Sequence, residues 1–160
     1  MSATSSDTWL EANQRYLTAA LAEVRFALEN QASRMEEKPV GAGKRAGVEA
    51  AVKQAAGAMP SPPTLEILVA TFGLSVFERA LLLLCAGMEL DARMVSLCAS
   101  VQGDPQRAFP TFSLALAALP QPHWSAINPS APLRRWRLIE VGSGPAITLC
   151  PLRIDERILH

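Results

Sequence analysis

Few residues of this chain can do chemistry, and their spacing decides against most of it. Residues 41–47 read GAGKRAG, glycines around a lysine, the composition of a phosphate-cradling loop. Such a loop needs four residues before its Gly-Lys pair and a hydroxyl directly after the lysine. Here one residue separates Gly41 from Gly43, Arg45 stands where Ser or Thr is needed, and no apolar strand leads in. His123 and His160 are the only histidines, and neither has Cys, Asp or Glu at ligand spacing, so no metal site is expected. Cys85, Cys98 and Cys150 are odd in number and widely spaced, which fits neither a CxxC metal pattern nor a disulfide framework. Cys85 and Cys98 fall on apolar helical faces and read as buried free thiols in a reducing cytoplasm. Glu89 and Asp91 are neighbouring carboxylates, but Asp91 stands where a helix needs a cap. Ser75 lacks the G-x-S-x-G setting of a nucleophile elbow. The expectation is therefore no catalytic, cofactor-binding or metal-binding residue. What remains is a surface: Arg134, Arg135, Trp136 and Arg137, with Trp124 upstream and Trp9 and Tyr16 beside the stripe of an N-terminal helix. Arg and Trp are frequent at interface hot spots. The same arginines can meet phosphates, and each taken singly is an ordinary solvated strand position.

The elements that must position these residues are mostly helices. Leu10, Leu17, Leu21, Val24 and Leu28 form one narrow apolar stripe, with Thr8 and Glu11 as a capping box at its start. A helix reaching Met35 is roughly 40 Å long at 1.5 Å per residue. Packing on its own domain is expected ahead of self-association through this arm. Residues 36–47 read as a linker, 48–58 as an alanine-rich helix and 59–63 as a stiff proline break. Residues 65–90 are the most apolar stretch, two helices broken at Gly73, with Ser75 and Glu78 as a second capping box. The helix at 76–86 is apolar almost all round, which demands burial. It is far short of the about 20 apolar residues of a membrane span. Asp91 then caps 92–101, and Thr111 caps 112–119. After a turn-rich link with room for one helical turn comes a strand pair, 135–141 and 146–150 around a Gly-rich turn, then a helix over 153–160. That final pattern stops without a cap, the look of the cut edge of a longer protein.

Three helices followed by a hairpin is the order of a winged-helix domain. The fold class expected is mainly α: a helical bundle with a winged-helix-like core, three helices plus a β-hairpin wing, preceded by a long N-terminal helical arm. Residues 1–59 are the arm and linker, and 60–160 the winged-helix-like domain. The 160 residues carry 15 basic and 15 acidic side chains, so the whole chain has no attraction for nucleic acid or anionic lipid. A DNA reader needs donors on its third helix. That helix reads TFSLALAALP, with no Arg, Lys, Asn or Gln, so specific DNA binding is not expected.

The runs FGLSVFERALLLLCAGMELD (72–91), QGDPQRAFPTFSLALAALPQPHWSAINPSAPLRRWRLIEV (102–141) and PLRIDERILH (151–160) resemble a known region. It is the N-terminal, winged-helix-containing part of bacterial AAA+ ATPases encoded with extracellular contractile injection systems, the phage-tail-like particles. WLEANQRYLTAAL (9–21) extends the resemblance weakly toward the N-terminus. The chain has neither Walker A loop nor Walker B strand, so no ATPase residue carries over. The resemblance implies a cytoplasmic, non-catalytic protein-interaction or regulatory domain without a cofactor. Its partners would be injection-system components or the rest of its own ATPase. The alternative is a winged helix that holds nucleic acid through the wing arginines.

Overall fold

The computed structural model describes residues 5–35 and 42–159. The first helix, α1, spans Ser5–Met35. It begins three residues upstream of Thr8, so Thr8 lies inside the helix and is not its cap. Its buried edge is Ala12, Tyr16, Ala20, Val24 and Leu28, successive steps of four residues. Leu10 points outward at 53% exposure, and Leu17 and Leu21 are only half buried. A row of i, i+4 positions forms the ridge that fits a neighbouring groove. The alanines belong to that ridge because their small side chains allow close approach, which a stripe drawn through the leucines misses.

The second helix, α2 (Ala42–Gly57), packs along α1 and takes in residues expected in the linker. Lys44 pairs with Glu29, and Lys44 and Arg45 lie 6.0 and 5.8 Å from the Phe26 ring centre. These contacts with α1 favour helix over linker in spite of the glycines. The rest of the expected linker, 36–41, lies outside the described residues.

The core follows the sequence pattern closely. Helix α3 (Thr64–Phe72) ends at Gly73, whose φ of 65° is the left-handed conformation glycine takes without a Cβ penalty. Ser75 and Glu78 form the reciprocal capping box of α4 (Val76–Leu90). Residues Phe77, Glu78 and Ala80 to Gly87 of α4 are all buried. Gly87 lets Met94 of α5 (Arg93–Gln102) approach to where a Cβ would meet its Cε at 3.1 Å. Asp91 accepts the Arg93 backbone N–H at 3.0 Å, one position upstream of the helix's N-cap residue, Ala92. Hydrogen bonds from the Arg93 guanidinium, with Arg25 behind, hold the Asp91 carboxyl down at about 2 although burial opposes this. Thr111 caps α6 (Phe112–Ala118) through a 3.0 Å bond to the Leu114 N–H.

A 3-10 turn at Trp124–Ile127 and a short helix, α7 (Pro132–Arg135), lead to β1 (Ile139–Val141). The partner strand is β2 (Leu152–Ile154), followed by α8 (Glu156–Leu159). Ile139 faces Ile154, Glu140 faces Arg153 and Val141 faces Leu152, antiparallel. This corrects both expected strands. Residues 135–138 are helix end and turn, and the return begins after Pro151 rather than ending at it. The reason is burial: Leu152 and Ile154 point inward and Arg153 outward, matching Ile139 and Glu140. Leu152 N–H also donates to the Pro110 carbonyl at 2.9 Å. Residues 147–149 are instead a 3-10 turn within the wing loop. The predicted order, three helices (α4, α5, α6) and then a hairpin, is the one observed.

Helix α1 lies against α4, α5 and α6 of that core. Polar bonds fix its position. Asn13 Oδ1 accepts the Thr64 N–H at 3.0 Å, Tyr16 donates to Glu66 at 2.8 Å, and Arg25 pairs with Asp91 at 2.9 Å. No helix of the described residues is long and apolar enough to cross a membrane.

Candidate interaction surface

Arg134, Arg135, Trp136 and Arg137 sit on a helix end, not on a strand. Leu138 N–H donates to the Leu133 carbonyl and Arg137 N–H to the Arg134 carbonyl. That pair of bonds is the Schellman closure of α7, which needs a left-handed residue at its C′ position. Arg137 fills it, with φ of 54°. Leu133 and Leu138, 0% and 1% exposed, anchor the turn from below. Above them Arg135, Trp136 and Arg137 are exposed and Arg134 is half buried, donating to the Ile127 carbonyl at 2.8 Å.

Trp136 is 51% exposed, with its ring centre 5.9 Å from that of Phe72 at the end of α3 and 5.0 Å from the Arg135 guanidinium carbon. Trp124, on the 3-10 turn packed against α7, is 69% exposed. The other two expected surface residues are placed differently. Tyr16 is 5% exposed and hydrogen-bonded to Glu66, with Arg79 donating to both. It is a core strut, and burial, reinforced by the Glu66 bond, raises its pKa above the ordinary phenol value. Trp9 is half buried and lines a cleft together with Leu65, Leu83 and Ile158; its indole N–H is buried with no partner among the described residues.

The left-handed arginine yields a prediction. A residue with a Cβ is strained at C′, where glycine is not. Arg137→Gly is expected to stabilise the fold by about 0.5–1 kcal/mol. Thermal unfolding checks it, and a lower midpoint would show that the arginine side chain holds the turn.

Tertiary structure also brings together a cluster the sequence did not reveal. His123 Nε2 lies 2.7 Å from Ser75 Oγ, its Nδ1 2.7 Å from Ser125 Oγ, and Glu78 Oε1 is 4.0 Å from Nε2. A serine on an imidazole is the start of an activated nucleophile. The rest of that machinery is not in place: a hydroxyl rather than a carboxylate orients Nδ1, and Ser75 Oγ already accepts the Glu78 N–H at 3.1 Å. The cluster pins the 3-10 turn to the start of α4. The partners are 48 residues apart, so no local motif announces them. Cys85, Cys98 and Cys150 are buried free thiols, and burial pushes Cys98 up to about 12, which leaves it unreactive as a nucleophile. The described residues hold no group of three or more metal-ligating side chains.

The third helix of the winged-helix order, α6, buries Phe112, Leu114 and Ala115. Thr111 is 1% exposed and donates to Gln102 Oε1 at 2.9 Å, so only Ser113 offers an exposed polar side chain there. Neither curated proteins nor solved structures give a match to this chain. The family model for the winged helix domain, variant, matches residues 5–160, so the α1 helix falls within the matched region along with the core and hairpin. This chain belongs to the variant winged-helix domain family.

Proposed function

We propose that this winged-helix domain is a non-catalytic protein-interaction module that works in the cytoplasm beside an AAA+ ATPase of a contractile injection system. The observation that carries the interaction reading is the third helix. Direct readout of bases needs side-chain donors or acceptors in the major groove. Helix α6 turns its apolar residues into the core, binds its N-terminal threonine internally and leaves one serine outside. The exposed tryptophans and arginines of the α7 corner supply the side chains that dominate protein interfaces. The motor and the injection system enter through the resemblance of 72–91, 102–141 and 151–160 to the region that precedes such ATPase modules. The domain itself would carry no chemistry, binding neither nucleotide nor metal.

The rival reading is phosphate binding by Arg134, Arg135 and Arg137. Three contacts give a log–log salt slope of only about −3, against specific affinities of about 10⁻⁸ M or tighter for true readers. We expect no shift of duplex DNA at sub-micromolar protein in physiological salt. A sequence-selective shift would overturn the protein-interaction reading. For the motor, added domain is expected to bind the ATPase or a particle component in co-purification. Binding to neither would remove that link.

A further inference from the structure

The chain is neutral overall, yet its charge is segregated. Residues 105–139 contain Arg107, Arg134, Arg135 and Arg137 and no Asp or Glu. Arg25 and Arg93 pair with Asp91, Arg79 with Glu66, Arg107 with Asp104, Arg153 with Glu89 and Arg157 with Asp155, while Arg15, Arg34 and Arg45 on α1 and α2 lie far apart in sequence from the α7 corner. Arg134, Arg135 and Arg137 have no such carboxylate among the described residues. Arg135 and Arg137 are exposed on one tight turn, Arg134 beside them is half buried and donates to the Ile127 carbonyl, and Arg135 lies over a half-exposed Trp136 already backed by Phe72. Arg137 takes a backbone conformation in which glycine would be less strained.

Resting on the protein-interaction reading, we propose that this corner docks an acidic peptide segment of a partner protein. Two or three carboxylates meet the guanidinium groups, and an apolar side chain between them covers Trp136. Arginine suits the task because its planar fork bonds a carboxylate through two parallel N–H groups. Strain at Arg137 is explained by the same occupant, since the charge at that position is used in binding. A nucleic-acid strand fits less well. A single strand is tracked by a cationic groove with successive stacking platforms. Here the charge is a compact spot within four residues, one face of Trp136 is taken by Arg135, and Glu140 is exposed three residues beyond Arg137 on the adjoining strand.

The test is fluorescence anisotropy with a labelled peptide of Glu-Glu-Leu repeats, a Lys-Lys-Leu peptide and oligothymidylate of matching length. The acidic peptide is expected to bind with an affinity that falls as salt rises, and the lysine peptide not to bind. Arg135→Glu combined with Arg137→Glu should weaken the acidic peptide by about tenfold or more. These side chains are exposed, so the fold is retained. Arg137→Gly removes one charge without straining the turn, and should weaken binding by about threefold while melting no lower than the parent. Tighter binding of oligothymidylate than of the acidic peptide would overturn the proposal in favour of nucleic acid. So would acidic-peptide binding that the arginine variants leave unchanged. A native-lysate pull-down separates the two readings: a partner captured equally by parent and double variant would keep protein docking and overturn this corner as its place.

Discussion

Leu83→Asp is expected to abolish cooperative unfolding. Leu83 is 1% exposed in the centre of α4, among Leu81, Leu82 and Leu84, which are no more than 2% exposed. The substitution removes a packed leucine and puts a carboxylate among apolar side chains. Truncating a buried leucine alone costs about 2–5 kcal/mol, and an unpaired buried charge adds several more. Against a typical stability of about 5–15 kcal/mol, little remains. Circular dichroism melting should show a broad, non-cooperative transition or an insoluble protein. Ile67→Gln, at a position 50% exposed on α3, should melt within about 0.5 kcal/mol of the parent. A soluble Leu83→Asp protein with a near-native midpoint would place Leu83 at the surface and undo the assignment of α4 as the central helix.

The second large effect is expected at Thr111. Its hydroxyl accepts the Leu114 N–H at 3.0 Å and donates to Gln102 Oε1 at 2.9 Å. Gln102 Nε2 in turn donates to the Arg107 and Phe109 carbonyls at 2.8 and 2.9 Å. One buried hydroxyl thus holds both the start of α6 and the turn that leads to it from α5. Thr111→Val keeps the shape and deletes both bonds, leaving a buried N–H and a part-buried amide oxygen without these partners. Losing a cap costs about 0.5–2 kcal/mol and an unsatisfied buried group about 1–3. A loss of about 2–3 kcal/mol is expected, or roughly 5–10 °C in Tm for a chain this long. Ser113→Ala, at the exposed neighbour, should change stability by less than about 0.5 kcal/mol. Equal melting of the two variants would show that the Thr111 bonds carry no net stability. The contrast also bears on DNA, because a threonine committed to the core cannot reach a base edge.

The sequence by itself determined the features set within a turn or two of chain. The Gly73 stop, the Ser75–Glu78 box, the Thr111 cap and the burial of α4 depend on neighbours a few residues away, and all stand as expected. The helix–helix–helix–hairpin order follows from them. Only tertiary structure decided what depends on distant partners. Tyr16 reads as a surface aromatic until Glu66, 50 residues away, takes its hydroxyl. The His123 cluster exists because α4 and the 3-10 turn meet. The hairpin register could not be read because its strands are three residues each, too short for alternation to outweigh other patterns. Burial against α4 and the Pro110 carbonyl selected Leu152–Ile154 instead of the β-branched run before Pro151. The same displacement moved the arginines from a flat strand to the tight end of α7. There, Arg135, Trp136 and Arg137 are exposed in succession where a left-handed residue closes the helix, a backbone state that the identity of Arg137 does not announce.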